Sequence, residues 1–147
     1  MIRKIKPSDR EIYLKLAKEF YSSPAVLHNV DEQNFTNTFD ELIRSDTYAE
    51  CYLIEKESCI AGYALLSKTF SQEAGGLVYW IEEFFILPEY RSMGLGKEFF
   101  SFLNDRLNHN VKRLRLEVEK DNVKACALYK KLGFKELEYM QMYKENQ

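Results

Sequence analysis

Residues 89–97 read Glu89-Tyr90-Arg91-Ser92-Met93-Gly94-Leu95-Gly96-Lys97. They follow the apolar run "IEEFFILP" and precede "EFFSFLNDRL", whose apolar residues Phe99, Phe102, Leu103 and Leu107 recur at helical spacing. Two glycines and two cations therefore stand where a strand gives way to a helix. Backbone amides in the first turn of a helix lack internal partners and sit at the positive end of the helix dipole. Glycine lets such a backbone bend tightly and lets an anion approach without meeting a Cβ. With Arg91 and Lys97 alongside, the bend suits a phosphate or diphosphate.

Two familiar phosphate patterns fail. A P-loop ending at Gly96-Lys97 needs glycine where Arg91 stands and a hydroxyl where Glu98 stands. A dinucleotide fingerprint starting at Gly94 needs a small residue at Phe99. What remains is Arg-x-x-Gly-x-Gly over residues 91–96.

Outward from the bend, residues 2–6 alternate apolar and basic as a short strand. Pro7-Ser8-Asp9 opens a helix carrying Ile12, Leu16 and Phe20, and Asp31 opens a second with Phe35, Phe39 and Leu42-Ile43 on one side. Residues 48–55 and 60–70 read as a hairpin, and 77–87 as a long apolar strand interrupted by Glu82 and Glu83. Residues 111–118 alternate as a strand with one wet face. Residues 122–132 form a helix stopped by Gly133, and 134–143 close the chain as strand. The expected order is β-α-α-β-β-β-α-β-α-β, one α+β domain over 1–147.

The chain of 147 residues is long enough for a hydrophobic core, and its net charge of −2 argues against a nucleic-acid partner bound through bulk positive charge. No apolar run is long enough to span a bilayer, so no membrane partner is expected. Three cysteines without Cys-x-x-Cys spacing read as small core residues of a reduced, cytoplasmic protein, with a Cys51–Cys59 redox pair as the alternative. His28 and His109 carry no metal-ligand pattern, so no metal is assigned.

The hexad Arg91 to Gly96 resembles the acetyl-CoA pyrophosphate loop of the GNAT superfamily of N-acetyltransferases. "DNVKACALYKKLGF" supplies Asn122, Ala125, Tyr129 and Gly133-Phe134 in the order and spacing of that family's following helix. The order of elements resembles the family over essentially the whole chain. The resemblance implies a mixed central sheet with splayed middle strands flanked by helices, and acetyl-CoA as cosubstrate. It implies that Phe84, Phe85 and Ile86 pair with the pantetheine arm, one amide facing the thioester oxygen. Arg91, Ser92, Met93, Gly94, Leu95, Gly96 and Lys97 would hold the diphosphate.

Tyr129 is the general acid this resemblance suggests: a phenol titrates near 10 and an alkyl thiol near 8.5. The plainer reading is a buried tyrosine with one hydrogen bond. Asn122 binds the cofactor or caps its helix. Two carboxylates inside an apolar strand are costly without a purpose or a partner. A regular strand would send Glu82 and Glu83 to opposite faces, whereas a bulge could turn both inward. The functional reading makes Glu82 the base and Glu83 its helper in binding a protonated amine; the plainer one gives one glutamate a salt bridge and the other solvent.

The segment 81–96 looks like its counterpart in polyamine acetyltransferases, so a small cationic amine is the first expected acceptor. Asp31, Glu32, Asp40 and Glu41, with Phe20, Tyr21, Phe35 and Phe39, could wall its site. A protein or peptide amine is the second, and a non-catalytic acyl-CoA-binding module the reading from another class. The family and a 14% aromatic content allow a homodimer, but no stretch marks its interface.

Overall fold

The computed structural model describes residues 1–146. The expected hairpin is β2 (Ala49–Lys56) and β3 (Cys59–Ser71), joined through Glu57 and Ser58. Both turn residues take positive φ, 49° and 65°, which matches the right-handed twist of paired strands. β1 (Ile2–Lys4) pairs with the far side of β2, and β4 (Gly76–Ile86) with β3, all antiparallel. β5 (Val111–Leu116) lies parallel to β4, which completes a mixed sheet in the order β1-β2-β3-β4-β5.

Alternation sends the strand side chains to two cores. Cys51, Leu53, Tyr63, Leu65 and Phe85 face α1 (Arg10–Tyr21) and α2 (Glu32–Arg44), which bring Tyr13, Leu16, Phe39 and Leu42. Tyr52, Ile54, Ala64, Leu66 and Ile81 face α3 (Leu95–Arg106), which brings Phe99, Phe100 and Leu103. Half-buried Tyr129 and Phe134 extend this second core, with Tyr129 on α4 (Val123–Lys131).

Local chemistry sets the helix ends. The Asp31 carboxylate accepts the Gln33 N–H at 2.9 Å and caps α2. Asp9, 5% exposed, anchors the foot of α1 by accepting two hydrogen bonds from Arg3 (2.8 and 3.0 Å) and one from the Lys6 amide (2.8 Å). At the end of α4, Gly133 turns left-handed at φ 93° and Phe134 N–H reaches back to Tyr129 C=O.

Three expectations are corrected. Residues 134–143 are not a strand: a strand is made by its neighbour, and among the described residues no segment ladders onto the outer edge of β5. Leu137, Tyr139, Met140, Met142 and Tyr143 are accordingly exposed. Nor does β5 have one cleanly wet face, because Arg113 turns to Glu73 (3.3 Å) and Arg115 lies 4.1 Å over the Trp80 ring. The acids of the second helix do not wall a site. Glu32 pairs with Lys18, Asp40 with Arg10 and Glu41 with Arg44, while Asp31 serves as the cap.

Candidate active site

β4 and β5 part company at one place. Their last pair is Ile81 with Leu116; β4 runs on to Ile86, and the chain after Leu116 leaves the sheet. The parting coincides with an irregularity on the other side of β4. There Leu66 faces Ile81 and Leu65 faces Glu83, so Glu82 is the extra residue of a bulge. The bulge lets both glutamates line one cavity of about 630 Å³ between the separated strands.

β4 lends this gap its free peptide groups. Leu87 N–H donates to Ala61 C=O at 2.8 Å, and in an antiparallel pair successive residues turn alternately toward and away from the partner. Counting back, Phe85 and Glu83 face β3, whereas Phe84 and Ile86 face the gap. Phe85, expected beside them, thus turns the other way, and its ring packs in the α1–α2 core. The Ile86 carbonyl accepts from Arg91 Nε at 2.8 Å, and the Arg91 guanidinium lies 5.7 Å over the Phe85 ring.

Beyond Ile86 the chain passes a short turn, Pro88–Tyr90, and enters α3. Ser92 (φ 63°) and Gly94 (φ 81°) both adopt the left-handed conformation. The first amide bonded inside the helix is Glu98 N–H, to Gly94 C=O at 3.0 Å. The N–H groups of the six residues 92–97 carry no hydrogen bond to any described residue. Gly96 serves another need: a Cβ there would stand 3.1 Å from Leu128 Cδ2, so its absence lets α4 close onto α3. The bend offers a row of unpartnered donors at a helix N-terminus, which fits the diphosphate of CoA.

Tyr129 and Asn122 border the same cavity from α4. Among the described residues the Tyr129 hydroxyl has no partner, while its ring is held edge-on by Phe100 (5.8 Å) and Phe134 (5.8 Å). Burial pushes its pKa up to about 12, with Cys126 adding slightly. Asn122 Oδ1 accepts the Ala125 N–H at 3.3 Å, so it caps α4.

The two glutamates differ sharply. Glu82 is exposed, and one of its oxygens accepts from Ser67 Oγ at 2.5 Å. Glu83 is 9% exposed, with Tyr63 Oη donating to Oε1 (2.5 Å) and Tyr21 Oη to Oε2 (2.8 Å). Burial raises the Glu83 pKa; the phenols pull it partly back, and the Glu82 charge adds to the rise. Sequence reasoning missed Tyr63 and Ser67. The only signal for Tyr63 is a phenol in the apolar run "AGYALL", and which residue it meets depends on the β3–β4 register. Beyond the glutamate pair, Glu117 and Glu119 also border the cavity, with Lys120 as the one cation among its described lining residues.

Comparison with known proteins bears on the family and the fold. The acetyltransferase (GNAT) family profile matches residues 11–134. The chain is 29% identical over 151 residues to thialysine N-epsilon-acetyltransferase from Bos taurus, covering 93% of this chain and 85% of that protein. It is 33% identical over 76 residues to spermine/spermidine N(1)-acetyltransferase from Bacillus subtilis, about half of each chain (50% and 49%). An aminoglycoside N-acetyltransferase solved with CoA superimposes with a TM-score of 0.79 at 17% identity, over 99% of this chain and 93% of the other.

Proposed function

This chain belongs to the GNAT acetyltransferase family and is an acetyl-CoA-dependent N-acetyltransferase, and on that premise we propose that its acceptor is a small amine carrying positive charge, attacked directly in the gap between β4 and β5. The single observation that carries this reading is the acidic lining of that gap: Glu82, Glu83, Glu117 and Glu119 against Lys120. Phe20, Tyr21 and Trp80 add aromatic surface that suits an alkylammonium. The thialysine and spermine/spermidine relatives support the same class of acceptor. The whole chain, 1–147, is read as one such domain.

In the proposed reaction the unpartnered amides of residues 92–97, with the side chains of Arg91 and Lys97, hold the diphosphate. The peptide groups of Phe84 and Ile86 take the pantetheine arm, Arg91 releasing the Ile86 carbonyl as the arm enters. Phe85 braces them from the opposite core. The Phe84 N–H is the donor placed for the thioester oxygen, where charge develops as the nitrogen attacks. Glu82 accepts a proton from that nitrogen, and Tyr129 gives one to the departing sulfur. A phenol near 12 looks too weak an acid for a thiolate near 8.5. A thiolate leaving into the same gap would have its charged form disfavoured too, which narrows the difference.

The test is a thiol-release assay over diamines, polyamines, amino acids, aminoglycosides and peptides. Saturable turnover is expected, with the highest kcat/KM for a diamine or polyamine; a preference for neutral or acidic acceptors would overturn the choice of substrate. A homodimer would cover the apolar side chains of 137–143 and the open edge of β5. Sedimentation should find twice the monomer mass, and a monomer at tens of micromolar would contradict it.

A further inference from the structure

Glu83 is a buried carboxylate with no cation: among the described residues no Lys, Arg or His reaches it, and both its oxygens accept from phenols. An uncompensated buried anion is expensive. Tyr63 Oη, on a fully buried side chain, cannot meet a ligand. Tyr21 can, because it and Glu83 both border the cavity. The Tyr21 hydroxyl donates its proton to Glu83 Oε2, and no described group donates to it in return. Its oxygen lone pairs are therefore free on the cavity side. The ring cannot swing away easily, being packed against Phe20 (5.0 Å) and Phe35 (5.3 Å).

Direct attack removes two protons from the amine nitrogen, one to turn the ammonium into a nucleophile and one as the amide forms. Glu82 accounts for one of them. We propose that Tyr21 relays the other, passing the first proton of the incoming ammonium to Glu83. This rests on the acetyl-transfer reading above. In the step, an ammonium N–H breaks as a bond forms to Tyr21 Oη, and the original Tyr21 O–H breaks as a bond forms to Glu83 Oε2. Tyr21 ends as a neutral phenol, Glu83 as a neutral carboxylic acid and the acceptor as a neutral amine, so charge and atoms balance. Glu82 then takes the second proton during attack.

The surroundings fit that sequence. Tyr13 from α1, Cys51 from β2, Tyr63 from β3 and Glu82 from β4 are the titratable groups that act on or touch Glu83 besides Tyr21. None is a cation, so the acceptor itself is the positive charge that Glu83 lacks. Burial and the Glu83 charge raise the Tyr21 pKa far above neutrality, so the phenol passes a proton on rather than resting as a phenolate.

Tyr21→Phe keeps the ring and its packing and removes only the relay oxygen. Turnover is compared for two acceptors, a strongly basic alkylamine that arrives as ammonium and a weakly basic amine that is already neutral at the assay pH. The variant should lose about 10²-fold in kcat with the first and much less with the second. CoA affinity should stay near the parent value, while the thermal midpoint falls whichever acceptor is used, because Glu83 loses one of its two donors. Glu83→Gln should show the same acceptor dependence, and the double variant should be no worse than Glu83→Gln alone. Equal losses with both amines, or no loss, would overturn the relay. Absence of thiol release by the unaltered protein with either amine would overturn the acetyl-transfer reading instead, and the relay with it.

Discussion

Ile81 and Leu116 are the last residues that β4 and β5 pair, and the residue after Ile81 is the bulged Glu82. One irregularity thus sits where the two strands separate and where a carboxylate enters the opening. The free peptides of Phe84 and Ile86 and the amides of 92–97 follow from that point along the chain, and Tyr129 borders the opening from α4.

Tyr129→Phe removes the proposed acid while leaving the ring between Phe100 and Phe134. Expected is a fall in kcat of about 10²- to 10³-fold with CoA affinity unchanged, read by steady-state kinetics and calorimetry. The Tyr129 pKa is raised to about 12, so the hydroxyl keeps its proton throughout the neutral range and is lost only as pH rises through that value. The kcat profile should show no alkaline limb from this group below about pH 11. Parent-like turnover by the variant would remove Tyr129 from the mechanism.

The two glycines of the bend should fail differently. Gly94→Val places a β-branched residue at φ 81°, a conformation costing roughly 1–2 kcal/mol, and distorts the donor row. It should weaken CoA binding tenfold or more. Gly96→Val instead drives its side chain into Leu128, where even a Cβ stands at 3.1 Å. Its main effect should be a lowered thermal midpoint. Identical behaviour of the two variants would mean that both glycines serve only packing.

Acid should loosen the foot of α1. The Arg3 guanidinium, helped by the Lys6 amide, holds the Asp9 carboxyl below its ordinary value. A depressed folded pKa contributes stability that is complete above the unfolded value near 3.8 and is lost as pH falls through the lower folded one. Asp9→Asn, which leaves Arg3 paired with Glu55 alone, should cost about 2 kcal/mol at neutral pH. It should also flatten the stability profile at pH values below about 3.8. Urea melts across that range check both; an unchanged acid slope would contradict the assignment.

Much of this was legible in the sequence because it was local. Periodicity places every strand and helix through Lys131 to within a few residues, and Gly133 marks the stop. Sequence also places a bend rich in free amides after the fourth strand, since a helix N-terminus is written in consecutive residues. What depends on pairing was not legible. Residues 134–143 have the alternation of a strand but lack a neighbour. The split between Glu82 and Glu83 follows from a one-residue shift against Leu65 and Leu66, and from Tyr21 and Tyr63, which lie 62 and 20 residues away from Glu83 in sequence. The acids of α2 looked like a binding wall until their partners Lys18, Arg10 and Arg44 were placed.

The central claim is that CoA lies along the free peptides of β4 with its diphosphate on the bend before α3. Backbone amide chemical shifts recorded while CoA is titrated into the protein test it most directly. The account predicts the largest changes at the amides of Ser92 through Lys97 and at Phe84 and Ile86, saturating together with one affinity. Saturable binding that leaves those amides unmoved and shifts another surface would contradict it.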